Sequence, residues 1–254
     1  MALGPEPMGH EARLALAHAM AAAALDRLRG DLLAVGIYGS LARGTDGPYS
    51  DIEMLCVLRT TEADLSHEWC TGPWKAEVNL LGRGTVLAQA AEVDERWPLT
   101  HGAFVHVLPL HDPEGFFPQL RAAAQGQPQQ KFAEAMRGLI VGELYEWVGK
   151  LRNARHRGQT APLPRIALDM ALHGAFLMAL AERHLYSTGS KVFEESLGLA
   201  GRPAGYDALC GMAMAGTLSD GAAVAGACEG FWAGVMAWAA ERGMRIVDER
   251  RVPF

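Results

Sequence analysis

A mixed α/β first half followed by an all-helical second half is the fold class this chain predicts, and three observations carry it. Short apolar, partly β-branched runs alternate with helical patterns through the first half, at Leu32–Tyr38, Ile52–Leu58 and residues 76–81. The polar, proline-containing stretch GQPQQ at residues 126–130 then marks a boundary, and beyond it long segments carry only the helical period. Finally, 254 residues suffice for one or two domains with a full core. The expected division is therefore residues 1–127 and 128–254.

Residues 11–29 are rich in alanine and leucine with charges to one side, the pattern of an amphipathic helix. The strands Leu32–Tyr38 and Ile52–Leu58 follow, connected through residues 39–50. Residues 76–81 form a third strand and residues 104–108 a fourth, with a helix over 85–95 between them; this alternation predicts a mixed sheet with flanking helices. Past the boundary, residues 131–155 lack proline and keep helical period, GQTAPLP interrupts, and residues 165–183 resume as helix. Residues 220–242 form another helix with Phe231, Trp232, Val235, Met236 and Trp238 as its apolar content. A short segment ending RRVPF closes the chain, which shows no internal repeat.

Composition excludes several classes. Half the residues are hydrophobic and 20% charged, as in globular rather than disordered or fibrous proteins. The net charge of −6 lacks the basic field that wrapping a nucleic-acid backbone requires, and it leaves room for a cationic partner. Cys56, Cys70, Cys210 and Cys228 are too far apart for a zinc motif or a small disulfide scaffold and read as free thiols in apolar surroundings. The first twenty residues are interrupted by Pro and Glu, unlike a signal peptide, and charge breaks the alanine-rich stretches, so no membrane span and a cytoplasmic location are expected.

The chemistry concentrates in GIYGSLARGTDGPYSDIEM, residues 36–54. Gly39 permits a tight turn whose amide approaches an anion, and Ser40 adds a hydroxyl donor. Asp51 and Glu53 lie two apart at the start of the next strand, so their side chains leave one face. Such carboxylates beside a phosphate-binding turn suit Mg²⁺, which takes hard oxygen ligands. Glu77 in WKAEVNLL, sharing a face with Asn79, completes a trio if its strand lies beside Ile52–Leu58. Arg43 and Ser50 add a cation and a second hydroxyl. Spacing alone leaves a solvated turn with flanking acids equally open.

The stretch YGSLARGTDGPYSDIEM closely resembles the signature of the aminoglycoside 4'-nucleotidyltransferases, within the polymerase-β-like nucleotidyltransferase superfamily. The likeness continues in SHEWCTGPWKAEV, WPLTHG, ELYEWVGKLRN, GYDALC, MAGTLSD and the terminal VPF, and covers nearly the whole chain. It implies Mg²⁺-dependent transfer of a nucleoside monophosphate from ATP or another nucleoside triphosphate to the 4'-hydroxyl of an aminoglycoside such as kanamycin, tobramycin or amikacin, with release of pyrophosphate. It makes the first domain the nucleotidyltransferase domain and the second the aminoglycoside-binding, dimer-forming one. By the same resemblance Asp51, Glu53 and Glu77 are the metal carboxylates, Gly39, Ser40, Arg43 and Ser50 surround the phosphates, Glu146 is the general base and Lys150 its nearby cation. Glu68, Glu77, Glu143 and Glu146 face the substrate, and the implied assembly is a homodimer with active sites at the subunit interface.

Spacing by itself makes Glu146 and Lys150, four apart on a helix, an ordinary exposed ion pair; the base role comes from the resemblance, with Glu143 as the competitor. His101, Trp69, Trp74 and Thr188 are weaker candidates, each equally explained by local hydrogen bonding, aromatic packing or helix capping. A nucleotidyltransferase acting on a protein or RNA acceptor is the alternative, and the absence of a long basic run argues against RNA.

Overall fold

The computed structural model describes residues 4–60 and 62–247. The terminal RRVPF and its VPF motif lie outside the described residues. The chain divides into two compact units, one formed by residues up to Glu92 with Leu99–Gln127, the other by Val93–Pro98 with the residues from Pro128 onward.

The first unit contains α1 (His10–Leu28), β1 (Leu32–Tyr38), α2 (Gly39–Ala42), β2 (Ile52–Leu58), β3 (Asp64–Cys70), β4 (Lys75–Gly82) and α3 (Arg83–Ala90). After α4 (Trp97–Thr100) come α5 (Gly102–Val105), β5 (Leu108–His111) and α6 (Phe116–Gln125). The five strands form one sheet in the order β3-β4-β2-β1-β5, in which β2 and β4 are parallel and the other pairs antiparallel. Every residue of β1 is buried, which is why its sequence reads as a continuous apolar run. Ala17 and Ala21 of α1 join Val35 and Ile37 of β1, Ile52, Met54 and Cys56 of β2 and Ala76 of β4 in one core cluster. Gly36 points to the opposite face, where a Cβ would stand 2.4 Å from Val107 and 3.0 Å from Phe117.

Two details correct the sequence reading of this unit. The strand expected over 104–108 is instead the end of α5 and the approach to β5, since the His106 amide donates to the Gly102 carbonyl and closes a helical turn. β5 begins three residues before its end at His111 and carries Pro109, tolerable because the strand is a sheet edge. The other edge, β3, went unanticipated: DLSHEWC is largely exposed and lacks an apolar face, so only its pairing with β4 makes it a strand.

The second unit holds α7 (Gln129–Gly138), a π-helical stretch (Leu139–Leu144), α8 (Tyr145–His156), α9 (Leu163–Glu182), α10 (Val192–Ser196), α11 (Tyr206–Ala215) and α12 (Gly221–Glu241). The single helix expected over 131–155 is thus interrupted by the π turn. α9 is the central helix, with α7, α8, α10, α11 and α12 packed on it. At Gly174 a Cβ would stand 2.6 Å from Phe231 and 2.9 Å from Tyr206, so the bare backbone lets α11 and α12 close in. Asp220 caps α12, its carboxylate accepting the Ala222 and Ala223 amides at 2.9 and 3.1 Å. By length and composition α9 and α12 are apolar enough to cross a membrane, but α9 buries most of its length inside this unit and α12 buries one face, including Phe231, Val235 and Trp238. Cys56, Cys210 and Cys228 are buried free thiols; Cys70 is exposed on β3, against the expectation of apolar surroundings.

Candidate active site

β1 ends at Tyr38, and the chain turns at Gly39 with φ of +71° into the short α2 that carries Ser40. β2 returns antiparallel, which sets Glu53 opposite Tyr38. The parallel β2–β4 pairing sets Glu77 opposite Glu53, and β3 sets Glu68 opposite Glu77. Tyr38, Glu53, Glu77 and Glu68 therefore form one row across four strands on one face, since directly paired residues share a face. Asp51, two residues before Glu53, lies just ahead of β2.

Tyr38, Glu77 and Glu68 of the row have polar partners. The Tyr38 hydroxyl donates to Glu77 Oε1 at 3.1 Å and accepts from Asn79 Nδ2 at 2.7 Å; Asn79 also donates to Glu77 Oε1 at 2.6 Å. Lys75 Nζ stands 3.6 Å from Asp51 Oδ2 and 3.0 Å from Glu68 Oε2. Burial, and then the charges of Asp51 and Glu77, push the Glu53 carboxyl up to about 7, while Arg43 and Lys75 pull it the other way. Burial raises the Tyr38 phenol far above its usual range, helped by Glu77 and Glu53. The Ser50 hydroxyl accepts the Gly47 amide at 3.0 Å, so its proton remains to be offered to an anion.

This donor set fits Mg²⁺: the oxygens are hard, Glu53 lies in the cradle left by the missing Gly39 side chain, and the charges of Asp51 and Glu77 add to what burial costs the ionised Glu53. Among the described residues, however, no group of three or more His, Cys, Asp or Glu is drawn together as a metal centre. Lys75 sits between Asp51 and Glu68, and Asn79 and Tyr38 hold Glu77.

In the second unit, Glu143 falls in the π-helical stretch and Glu146 in the first turn of α8. π-helical turns recur at functional sites because the extra residue re-aims the side chains that follow. Glu146 Oε1 pairs with Lys150 Nζ at 2.7 Å, and that ammonium lies 4.1 Å from the Trp147 ring centroid. Glu143 Oε2 is 3.6 Å from His173 Nε2 of α9. A recess of about 320 Å³ beside Lys150 is lined by Trp147, Asn153, Arg157 and Arg165.

The weaker candidates have the following surroundings. His101 is buried, with its Nδ1 3.1 Å from the Thr100 hydroxyl and its ring edge-on to Phe104. Trp69 packs edge-on with Trp74 and stacks with His67. Thr188 precedes a short 3₁₀ turn, and its side chain makes no capping bond. Lys75 and Tyr38 were missed by sequence reasoning. Lys75 was legible in principle, two residues before Glu77 on the same strand face, whereas Tyr38 reads as the last apolar residue of a buried strand.

Residues 114–245 match the family model described as KNTase C-terminal domain. The chain is 42% identical over 251 residues to an aminoglycoside nucleotidyltransferase (4') of a Bacillus species, covering 99% of both chains. It is equally 42% identical, over the same share of both, to an aminoglycoside nucleotidyltransferase (4') of Staphylococcus aureus. Among solved structures, a nucleotidyltransferase-like protein from Exiguobacterium sibiricum 255-15 superposes with a TM-score of 0.53 over 97% of this chain and 82% of the other at 13% identity, a likeness of fold. With the turn at Gly39, the carboxylate row on β2 and β4 and relatives matched from end to end, the chain belongs to the aminoglycoside 4'-nucleotidyltransferase family of the polymerase-β-like superfamily.

Proposed function

We propose that this protein transfers a nucleoside monophosphate from ATP or another nucleoside triphosphate to the 4'-hydroxyl of an aminoglycoside in a Mg²⁺-dependent reaction, releasing pyrophosphate and conferring resistance. The observation that carries this reading is full-length kinship to two aminoglycoside (4') enzymes in a chain whose sheet sets Glu53 beside Glu77 and against Gly39.

Asp51, Glu53 and Glu77 would hold Mg²⁺, which when bound supplies Lewis-acid stabilisation of charge on phosphate oxygens. Ser40 and Ser50 orient the phosphates through their hydroxyl protons, and Arg43 adds fixed positive charge where the departing pyrophosphate gains negative charge. Glu146 takes the proton of the acceptor hydroxyl as it attacks the α-phosphorus, and Lys150 offsets phosphate charge during the approach. Glu68, Glu77 and Glu143 meet the ammonium groups of the substrate, so Lys75 must yield Glu68 to a substrate cation. The assembly in this reading is a homodimer in which each site draws on both chains; the exposed Tyr145 and Val141 beside Glu143 and Glu146 are apolar surface for such a contact. A cytoplasmic location supplies the nucleotide and suits four free thiols.

Incubating the purified protein with ATP, Mg²⁺ and aminoglycosides that have or lack a 4'-hydroxyl tests the proposal. Pyrophosphate release is expected only with the 4'-hydroxyl compounds; its absence with all of them would overturn the reading.

A further inference from the structure

Ser40, Arg43, Ser50 and Asp51 are strung along a turn and loop that have little regular structure of their own beyond α2. Internal bonds hold parts of it: the Thr45 amide donates to the Ser40 carbonyl at 3.0 Å, and the Ser50 amide to the Gly47 carbonyl at 3.1 Å. These local bonds do not anchor the loop to the rest of the unit. Leu41 of α2 is seated in the core, and residues 46–48 are held by the N-terminal end of α1 around Arg13, the only lysine or arginine that is buried among the described residues.

Arg13 leaves the N-terminal part of α1 and makes three contacts at once. Its Nη1 pairs with Asp46 Oδ2, and its Nη2 donates to the carbonyls of Met8 at 2.9 Å and Pro48 at 2.8 Å. The Arg13 and Asp46 side chains are only 2% and 1% exposed. The other Asp46 oxygen lies 2.6 Å from His10 Nδ1, and the Met8 amide donates to the Pro48 carbonyl at 2.8 Å. The next buried residues on the same helix stripe, Ala17 and Ala21, belong to the core behind β1 and β2. Arg13 thus ties the loop to a helix that is itself packed against the sheet.

A buried ion pair seldom stabilises a fold more than apolar residues of the same volume, because two charges must be taken from water. What the pair supplies that apolar side chains cannot is direction, since the planar guanidinium fixes its acceptors in a set geometry. We propose that the Arg13–Asp46 pair is a positioning device for the nucleotide site, holding the 43–50 loop so that Ser50 and Asp51 stand where the metal–nucleotide complex is bound. Neither residue touches the reacting atoms. The inference rests on the nucleotidyl-transfer reading given above.

The test uses the full chain with a non-cleavable ATP analogue, methylene-bridged between the α- and β-phosphates, plus Mg²⁺, titrated calorimetrically without acceptor. Asp46→Asn and the paired variant Arg13→Met with Asp46→Leu, which replaces the ion pair by apolar contact, are each compared with wild type; kanamycin is titrated separately. Both variants should bind the Mg²⁺–analogue complex at least about tenfold more weakly, with kanamycin affinity within about twofold of wild type. His10→Ala removes only the partly exposed contact to Asp46 and keeps the test decidable should the others fail to fold; about threefold weaker binding of the complex is expected there. The proposal is overturned if the folded variants bind the complex within twofold of wild type. It is equally overturned if affinity for both ligands falls in step with melting temperature, the mark of a merely structural role. Lack of pyrophosphate release by wild type would strike the proposed function alone, because the titration reads nucleotide binding directly.

Discussion

Gly39 and Glu53 are packed so closely that a Cβ on Gly39 would stand 1.6 Å from Glu53 Oε2. The turn at the end of β1 and the carboxylate on β2 are therefore one device: the glycine is bare where the acid is seated.

Replacing Gly39 with Ala should consequently damage the site twice. The residue has φ of +71°, which costs an L side chain about 1–2 kcal/mol, and the added methyl evicts the Glu53 carboxylate. Transfer is expected to fall more than about 100-fold with only that modest loss of stability. Steady-state kinetics beside a thermal melt checks it; near-normal activity would mean that Glu53 does not need its present seat.

Glu146→Gln should abolish turnover and spare binding of ATP with Mg²⁺. General-base catalysis is worth about 10²–10⁴ in rate, so single-turnover transfer should drop by that range. Glu143→Gln should cost less. If Glu146→Gln keeps its rate while Glu143→Gln loses it, the base is the residue on the π-helical stretch.

Tyr38→Phe removes the hydroxyl that bridges Glu77 and Asn79, but Asn79 still reaches Glu77 Oε1 at 2.6 Å. The stability cost should be about 1 kcal/mol, that of one hydrogen bond. Asn79→Ala should cost transfer more than Tyr38→Phe, because it removes both of its donated bonds. Urea melts and initial rates of the two variants would show the order, and the reverse order would sink it.

Glu195 sets a pH expectation for the second unit. Burial alone would raise its carboxyl, but the Ser187 hydroxyl and amide and the His184 ring outweigh it and hold the group below its ordinary 4.5. A carboxyl with a depressed folded pKa contributes stability that is present above the unfolded value and lost as pH falls through the folded one. Thermal melts from neutrality down to acid should therefore show wild type losing its advantage over Glu195→Gln below 4.5. Parallel profiles for the two proteins would contradict the assignment.

The elements that were legible in the sequence are those whose period comes from burial. β1, β2 and β4 show as apolar runs, and α1, α9 and α12 as helical patterns, because each lies against its unit's core. β3 was invisible because a two-neighbour pattern needs a buried face, and this edge strand buries almost nothing. The π turn before Glu146 was equally hidden: its residues keep a helical composition, and only the backbone hydrogen bonding differs. Arg13 illustrates the converse, an arginine near the start of an amphipathic helix that composition assigns to solvent and the structure buries.

By itself the sequence determined the two-part architecture, the glycine–serine turn and the acids two apart on β2, since these follow from period, backbone permission and strand alternation within short stretches. Its extended likeness to one family set the chemistry to be expected. Only the tertiary structure decided that Glu77 is the neighbour of Glu53, that Lys75 lies between Asp51 and Glu68, and that Asp46 is held from α1. Each of those facts is a strand register or a long-range contact, and neither is written in local spacing, because pairing depends on which faces the whole chain can bury together.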